Sequence, residues 1–362
     1  MKKSLLLYGI AALALASCAE NEPIEVSKGD AISFRTGIAS RANETTNANL
    51  NSIYVTGFIG NETYFDNLNF IKGSDNFFTS TPSYNWIGDN ESIAFMAYSP
   101  SMDELGADIE VQTSGSKPSL SLVSYTVPDS IADQVDFITA NAVGSRKANE
   151  TSGVELTFDH RLSQIELRAK TDNTTYVYEI AGIRIGRPQC TASYDFASNT
   201  WTPDEWHETA VYESHCNSVK LGSQAVSIMG PSGNAMLIPQ TLYPWSPKND
   251  PDNAARMAYI SVLLRITTAD GGVQVFPFPQ YASESKYSWA SIPLSGTWEA
   301  GKKYIYTLDF TDGAGNTDPD DPHHPGTPVM GGPIKITASV NNWTQSETDI
   351  PYTTDLTAPA TR

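Results

Sequence analysis

The feature that most constrains the fold is an apolar period of two residues, which recurs along the chain from residue 31 onward. In the first run Ile32, Phe34 and Ile38 alternate with polar or small residues, a pattern typical of a half-buried β-strand. Similar runs are Ile53/Val55, Ile93/Phe95, 119–127, Val154/Leu156, Tyr176/Tyr178, Ile260/Val262, Val273/Val275, Tyr304/Tyr306 and Ile334/Ile336. Turn-rich segments separate these runs, so an all-β protein with a β-sandwich in each half is predicted.

Length and one polar segment predict the domain organisation. At about 150 residues per domain, 362 residues are enough for two domains. The polar stretch 171–175 separates the two sets of strands, which predicts an N-terminal domain at 31–172 and a C-terminal domain at 173–347. Residues 348–362 then form a C-terminal tail.

Three local features depart from the strand pattern. A short helix is predicted near 131–137, and a bend or bulge at His160–Arg161, where the next apolar run changes phase. The segment 312–332 is rich in Gly, Pro and Asp and predicts a flexible loop. Its acidic residues 318–321 suggest calcium, but prolines interrupt the ligand spacing, which favours a solvated loop.

The N-terminus has the features of an export signal. Two lysines precede an apolar run at residues 5–16 that is too short to span a membrane. The tetrad Leu15-Ala16-Ser17-Cys18 resembles the lipobox of bacterial lipoproteins, so residues 1–17 are predicted to be the signal peptide and Cys18 the lipidated residue. Residues 18–30 form an acidic spacer resembling that of lipoproteins exposed at the outer membrane surface. The alternative is an ordinary secretory signal with an incidental cysteine.

The charge balance excludes one class of partner. With 41 acidic and 23 basic residues the net charge is −18, so the surface repels the phosphates of nucleic acids. Apolar residues make up 40% of the chain and aromatic residues 10%, which is enough to build packed cores. A disordered polyanion is therefore not expected either.

Two cysteines follow the predicted anchor. In an oxidising compartment, Cys190 and Cys216 are most simply interpreted as a disulfide. The alternative is a zinc site completed by His207 and His215, although neither C-x-x-C nor H-x3–5-H spacing is present.

No sequence motif indicates catalysis. The five histidines lie outside the known metalloprotease and hydrolase motifs, and no phosphate-binding glycine loop is present. His160 is interpreted as a structural histidine at a strand bend rather than a catalytic base. Among the 41 acidic residues, nothing in the sequence singles out a pair of carboxylates for glycoside hydrolysis. The chain is therefore expected to be non-enzymatic and to use no cofactor.

Short motifs in a fixed order resemble a known family. They are the lipobox, an early Ile-Ser-Phe strand followed by Ser40-Arg41-Ala42, the segment 154–163, and a closing series of 301–304, 334–336 and Asn342-Trp343. Together they are similar to the fimbrillins, the lipoprotein precursors of type V pili. The resemblance covers nearly the whole chain and implies two tandem transthyretin-like Greek-key β-sandwich domains.

The resemblance also implies a route of assembly into a surface fimbria. An arginine-specific surface protease would cut between Arg41 and Ala42, removing the first strand together with the lipid on Cys18. The vacated groove would accept the C-terminal strand of another fimbrial subunit by β-strand addition. The alternative is that 40–42 is a polar loop that is never cut. Arg35 lies within the strand and is a poorer protease target.

The donor strand would come from the tail 348–362, where Tyr352, Thr354 and Leu356 keep the period of two. Two prolines there limit the length that can pair, which departs from an ideal donor strand. The family also includes uncut anchor subunits and adhesive tip subunits, so the sequence leaves the choice of role open.

A second hypothesis is a surface lipoprotein that binds a glycan or host ligand, as a tip or stand-alone adhesin, without polymerising. Trp201 and Trp206 lie in a polar insertion between the cysteines and are candidates for stacking on a ligand. The alternative is that they cover the core of the second sandwich.

Overall fold

The computed structural model describes residues 31–37, 45, 49–113, 117–204, 207–246, 257–280 and 286–343, and the backbone of 351–352. Almost all of the regular structure in these ranges is β. Two one-turn helices are present, α1 (Met102–Leu105) and α2 (Arg146–Asn149), together with 3-10 turns at Ile131–Asp133 and Gly230–Ser232. The helix predicted near 131–137 is therefore only a single 3-10 turn.

The first half of the chain contains strands β1 to β10. They are β1 (Phe34–Gly37), β2 (Ser52–Ile59), β3 (Glu62–Lys72), β4 (Phe78–Ser80), β5 (Ile93–Ser99), β6 (Asp108–Gln112), β7 (Ser119–Thr126), β8 (Ile138–Gly144), β9 (Val154–Thr157) and β10 (Asp159–His160).

The strands from β11 onward follow the bend after His160. They are β11 (Ser163–Lys170), β12 (Tyr176–Gln189), β13 (Thr191–Asp195), β14 (Thr200–Pro203), β15 (Thr209–Lys220), β16 (Val226–Ser227), β17 (Ala235–Leu237), β18 (Thr241–Leu242), β19 (Tyr259–Thr268), β20 (Gln274–Phe276), β21 (Ser288–Pro293), β22 (Gly296–Thr297), β23 (Lys302–Asp309), β24 (Asn316–Thr317), β25 (Lys335–Asn342) and β26 (Pro351–Tyr352).

An eight-stranded N-terminal sheet has the order β10-β8-β5-β2-β3-β4-β1-β9. In a flat sheet β1 and β5 would lie about 19 Å apart, because three strands separate them. The rings of Phe34 in β1 and Phe95 in β5 nevertheless lie 5.0 Å apart, centroid to centroid. The sheet therefore folds back on itself and encloses its own core, whose buried residues all come from 32–158.

Two six-stranded sheets organise the C-terminal half. One has the order β16-β11-β23-β25-β26, with β17 also paired to β11, and the other has the order β15-β12-β19-β21-β24, with β20 paired to β19. A larger core lies with these sheets and includes Leu167, Ile183 and Tyr306. The alternating runs predicted around residues 176, 260, 304 and 334 thus all form strands.

Strand β11 belongs to a different half from the one predicted. The sequence placed residues 163–170 in the N-terminal domain, before a boundary near 172. In the structure β11 pairs in parallel with β23, from Gln164↔Lys303 to Lys170↔Asp309, and antiparallel with β16 and β17. The change of sheet therefore occurs at the bend after His160, because the apolar pattern predicts a strand but not its partner.

A four-stranded sheet joins the two halves. It has the order β14-β13-β7-β6, so β7 of the first half pairs with β13 of the second. Trp201 in β14 extends this connection, since its indole Nε1 donates a hydrogen bond to the carbonyl oxygen of Arg161 at 2.6 Å. Part of the segment between Cys190 and Cys216 therefore forms strands of this sheet.

The acidic segment before the last strand is packed rather than solvated. The sequence favoured a flexible loop at 312–332, but Asp318 is only 1% exposed. Its Oδ2 accepts a hydrogen bond from the Ser261 hydroxyl at 2.6 Å, and its Oδ1 accepts one from the Asp320 backbone N–H at 2.9 Å. The solvated-loop prediction is therefore wrong for Asp318, because period and composition do not show which acid is buried.

Candidate assembly strands

Strand β1 lies inside the N-terminal sheet, between β4 and β9. It pairs in parallel with β9 over four residues, from Phe34↔Val154 to Gly37↔Thr157, and touches β4 only at Phe34↔Phe78. The Val154 backbone N–H donates to the Ser33 carbonyl at 2.9 Å. A short strand held by backbone hydrogen bonds on both sides is the arrangement that another strand of similar pattern can reproduce.

The inward face of β1 is part of the core. Ile32 is 1% exposed and Phe34 is fully buried. The Phe34 ring makes edge-to-face contacts with Phe70 at 4.8 Å and with Phe95 at 5.0 Å. At about 1.5–3 kcal/mol for each buried side chain, Ile32 and Phe34 contribute roughly 3–6 kcal/mol to burial. Ile38, the third apolar residue of the predicted strand, lies outside the described residues.

Arg35 occupies the outward face of β1. It is paired in register with Glu155 of β9, and its guanidinium lies 5.3 Å from the centroid of the Phe77 ring. A protease must bind its substrate in an extended form free of other backbone partners, so a residue inside a sheet is protected from cleavage. This placement agrees with the sequence argument that Arg35 is the poorer target.

The C-terminal strand β26 lies on the edge of a sheet in its own chain. It pairs antiparallel with β25 at Ala338↔Tyr352 and Ser339↔Pro351. On its other side β25 is paired with β23 along its whole length, from Lys302↔Asn342 to Asp309↔Lys335. Within the described residues, two tail residues thus cover part of this edge of β25.

The predicted processing residues lie outside the described ranges, as do the signal peptide and spacer. These residues are Cys18, Arg41 and Ala42. Thr45 is the nearest described residue after them, and its backbone N–H donates to Oδ2 of Asp136 at 3.0 Å. Asp136 therefore holds Thr45, which follows Arg41 by four residues in sequence.

Asp136 belongs to a buried junction between the two halves. Its two carboxylate oxygens lie 3.0 and 2.9 Å from Nδ1 of His160, and both side chains are almost completely buried. The His160 imidazole stacks on the indole of Trp343, with centroids 4.3 Å apart and planes 9° apart. Trp343 follows the last long strand, so His160 connects the end of the N-terminal sheet to the end of the C-terminal sheet.

A family comparison bears on these strands. A family model described as fimbrillin-like matches residues 37–343. The chain belongs to the fimbrillin-like family. No curated protein matches this fimbrillin-like chain.

Solved structures share the fold of this fimbrillin-like protein. A fimbrial protein from Bacteroides vulgatus is 16% identical and superposes with a TM-score of 0.57, covering 86% of this chain and 99% of the other. A candidate cell adhesion protein from Bacteroides ovatus is also 16% identical, with a TM-score of 0.47 and coverage of 88% and 99%. At this identity the first likeness shows a common fold.

The predicted disulfide of the fimbrillin-like chain is wrong in this structure, where Cys190 and Cys216 are both free. The Cys190 backbone N–H bonds to the carbonyl of Glu208 at one end of β15, whereas Cys216 lies eight residues further along the same strand region. Eight strand residues span about 25 Å. A disulfide needs Cα atoms within about 7 Å, so the two cannot bond within one chain.

Burial affects the reactivity of both thiols. Desolvation raises the pKa of Cys190 and of Cys216 above the usual value for a thiol. The thiolate is the reactive form, so both cysteines are expected to react slowly in the folded protein. Among the described residues, no group of three His, Cys, Asp or Glu side chains is placed to hold a metal ion.

Trp201 packs on the core of the fimbrillin-like fold. Its ring lies 5.1 Å from that of Tyr194 and 6.0 Å from that of Phe137. The sequence left two roles open for Trp201, stacking on a ligand or covering the core, and this packing corresponds to the second. Trp206 lies outside the described residues, but His207, in the same insertion, lines a surface cavity with Arg187 and Tyr243.

Sequence reasoning missed this cavity, because Tyr243 lies well beyond the insertion in sequence and the pattern around Arg187 does not show that the end of β12 lines a cavity. The only signal was the polar, aromatic composition around His207. Within the described ranges, no helix combines the length and apolar content needed to cross a lipid bilayer.

Proposed function

We propose that this fimbrillin-like protein is a structural subunit of a cell-surface fimbria, assembled by exchange of β1 for a strand of another subunit. In this proposal the chain is exported as a lipoprotein anchored to the outer membrane through Cys18. A surface protease then cuts after Arg41. The role is structural rather than enzymatic, and the architecture is that of two tandem transthyretin-like Greek-key sandwiches.

The position of β1 carries the proposal. The strand supplies Ile32 and Phe34 to the core and fills a slot between β4 and β9. Its removal exposes two strand edges and an apolar groove, which is unfavourable unless another strand fills the gap. An incoming strand with the same alternation recovers the burial and the backbone hydrogen bonds.

The sequence around β1 suits a cut at Arg41. Arg35 and Arg41 are the first two arginines of the chain, and the next is Arg146. A cut at Arg35 would fall inside the paired strand and leave Thr36 and Gly37 in the sheet. A cut after Arg41 releases all of β1 together with the anchor, so release from the membrane and opening of the groove become one event.

Cleavage is tested by treating the purified precursor with an arginine-specific protease and sequencing the new N-terminus. We expect Ala42 as the first residue. The matched control is Arg41→Lys, which keeps the charge but removes the recognised residue, and it should resist at this site. A first residue of Thr36, or full resistance of the natural chain, would contradict the proposed processing.

The donor strand is tested by deleting residues 348–362. Because β26 contributes two paired residues in the described part of the tail, we expect the shortened monomer to keep its thermal unfolding midpoint. It should fail to form fibres after protease treatment, whereas the full chain should form them. Fibres of normal length from the shortened chain would contradict the donor assignment.

The alternative function, a glycan- or host-ligand-binding surface lipoprotein that does not polymerise, gains no support from Trp201. That indole is half-buried, donates to the Arg161 carbonyl and packs against core rings, so these contacts account for its position without a ligand. This alternative therefore needs another site.

A further inference from the structure

A surface cavity of about 430 Å³ lies where the end of β12 meets the loop before β15 and the segment around β18. Its walls include Arg187, Gln189, His207, Gln240 and Tyr243. Small-molecule sites usually occupy about 300–1,000 Å³, so the cavity has the size of such a site. The strands proposed for assembly, β1 and β26, do not line it.

Two cavity residues have an unusual backbone conformation. Among the described residues, Arg187 has a φ of 61° and His207 a φ of 49°. Positive φ is costly for side chains other than glycine and asparagine, and such residues concentrate at functional sites. Arg187 lies where the register of β12 against β15 shifts between Gly186 and Gln189. Arg187 and Gln189, which lie at this shift, both line the cavity.

Hydrogen bonds hold Gln189, Gln240 and His207 together on one side of the cavity, which is called the polar wall below. The Gln240 side chain accepts from the Gln189 backbone N–H at 2.7 Å and donates to the Gln189 carbonyl at 3.0 Å. The amide Nε2 of Gln189 lies 2.6 Å from Nδ1 of His207. With the Gln189 amide in this orientation its nitrogen donates, so Nδ1 of His207 accepts and the imidazole proton is on Nε2.

This arrangement leaves one acceptor and one donor side by side. Within the described part of the chain, Oε1 of Gln189 has no protein partner, and His207 offers Nε2–H. Both groups are neutral in this arrangement. A pair of neighbouring hydroxyls, each able to donate and accept, matches such a wall.

The cationic side chain of the cavity already pairs with an acid through one of its nitrogens. Nη2 of Arg187 donates to Oδ1 of Asp320 at 2.6 Å, and its guanidinium lies 5.4 Å from the centroid of the Tyr259 ring. The Tyr259 hydroxyl donates to the other Asp320 oxygen at 3.2 Å. With this pairing and a chain charge of −18, an anionic ligand would be repelled.

An aromatic face completes the site. Tyr243 is 64% exposed, which is unusual for a large aromatic ring, and it lines the same cavity. The apolar floor is formed by Leu242 and Ala258, which are both buried. Sugar rings combine an apolar C–H face with hydroxyls at the rim, so an exposed ring beside amide and imidazole groups suits them.

We propose that this cavity binds a neutral saccharide, with a sugar ring against Tyr243 and its hydroxyls between Gln189 and His207. The proposal is independent of strand exchange, since the site lies in the C-terminal half and needs no cut at Arg41. It gives the molecule an adhesive surface whether or not it polymerises.

The test is saturation-transfer NMR on the uncut chain without its signal peptide. The neutral probes are the methyl glycosides of mannose, galactose, glucose and N-acetylglucosamine, and the anionic comparison is N-acetylneuraminic acid. We expect at least one neutral probe to bind in preference to the acid. Binding of none of the four, or preferred binding of N-acetylneuraminic acid, would overturn the proposal.

Substitutions at and away from Tyr243 test whether the sugar binds in this cavity. Tyr243→Ala should weaken the neutral probe about tenfold through loss of the aromatic face, whereas Tyr243→Phe should keep binding. Val273→Ala, which changes a side chain with the same 64% exposure outside the cavity, should have no effect. Thermal unfolding of each variant shows whether the fold is intact. Unchanged binding by a folded Tyr243→Ala protein would place the sugar elsewhere and overturn the assignment.

Discussion

At the scale of single residues, burial separates the side chains that hold the fold from those available to a partner. Phe34 is in van der Waals reach of two rings on other strands, whereas Arg35 next to it is exposed. Period-two alternation predicted this difference directly. The pattern could not predict Asp318 or the Asp136–His160 pair, because a buried polar residue depends on partners that are distant in sequence.

Phe34→Ala should lower the free energy of unfolding of the uncut precursor by about 3–5 kcal/mol, because a large ring is removed from a closed core. Arg35→Ala, on the outward face of the same strand, should change it by less than about 1 kcal/mol. Urea denaturation followed by fluorescence measures both. An equal effect of the two changes would mean that β1 is not a core strand.

Acid should destabilise the C-terminal half through Glu166. Burial alone would raise the pKa of Glu166, but hydrogen bonds from Arg168 at 2.6 Å and Lys303 at 2.9 Å outweigh it and hold the pKa below its ordinary 4.5. A carboxylate with a lowered folded-state pKa stabilises the fold above about pH 4.5, and this stabilisation is lost as the pH falls through the folded pKa.

Glu166→Gln should therefore lower the folding stability at neutral pH. It should also make the loss of folding stability below about pH 4.5 less steep. Glu62→Gln, at the exposed first residue of β3, is the matched control and should leave both the neutral stability and its decline in acid unchanged. Thermal unfolding midpoints between pH 3 and 7 make the comparison. A decline of unchanged steepness in Glu166→Gln would assign the acid sensitivity to other carboxylates.

At the scale of elements, the sequence predicted the existence of strands better than their partners. The runs at 53, 93, 154, 260 and 304 all form strands, since alternation reports a face buried against something. Alternation does not show which strands a given strand pairs with. For this reason β11 was assigned to the wrong half, and the pairing of β7 with β13 was missed. The cysteine pair failed for the same reason, because spacing along the chain says little about separation along a hairpin.

The acidic loop 312–332 gives a prediction at this scale. Asp318→Ala should cost about 1–3 kcal/mol, since it leaves the buried Ser261 hydroxyl and the Asp320 backbone N–H without their acceptor. Asp270→Ala, at an exposed turn residue whose side chain takes no part in this network, is the control. Denaturant midpoints and hydrogen exchange of the loop check this; equal costs would show that the loop is not anchored at Asp318.

At the scale of the whole molecule, two core clusters bear on the proposed loss of β1. The core around β1 draws its buried residues from 32–158, and the larger core contains none of the residues of β1. Loss of β1 therefore weakens the N-terminal sheet first. The larger core and the buried junction at His160 and Trp343 remain to hold the chain together while the groove is open.

Electron microscopy of cells expressing the chain, with and without Arg41→Ala, tests the central claim most directly. The account predicts surface fibres from the natural chain and from Arg35→Ala. It predicts no fibres from Arg41→Ala, although that protein should still reach the surface and fold. Fibres of normal length from Arg41→Ala would show that assembly does not require the removal of β1.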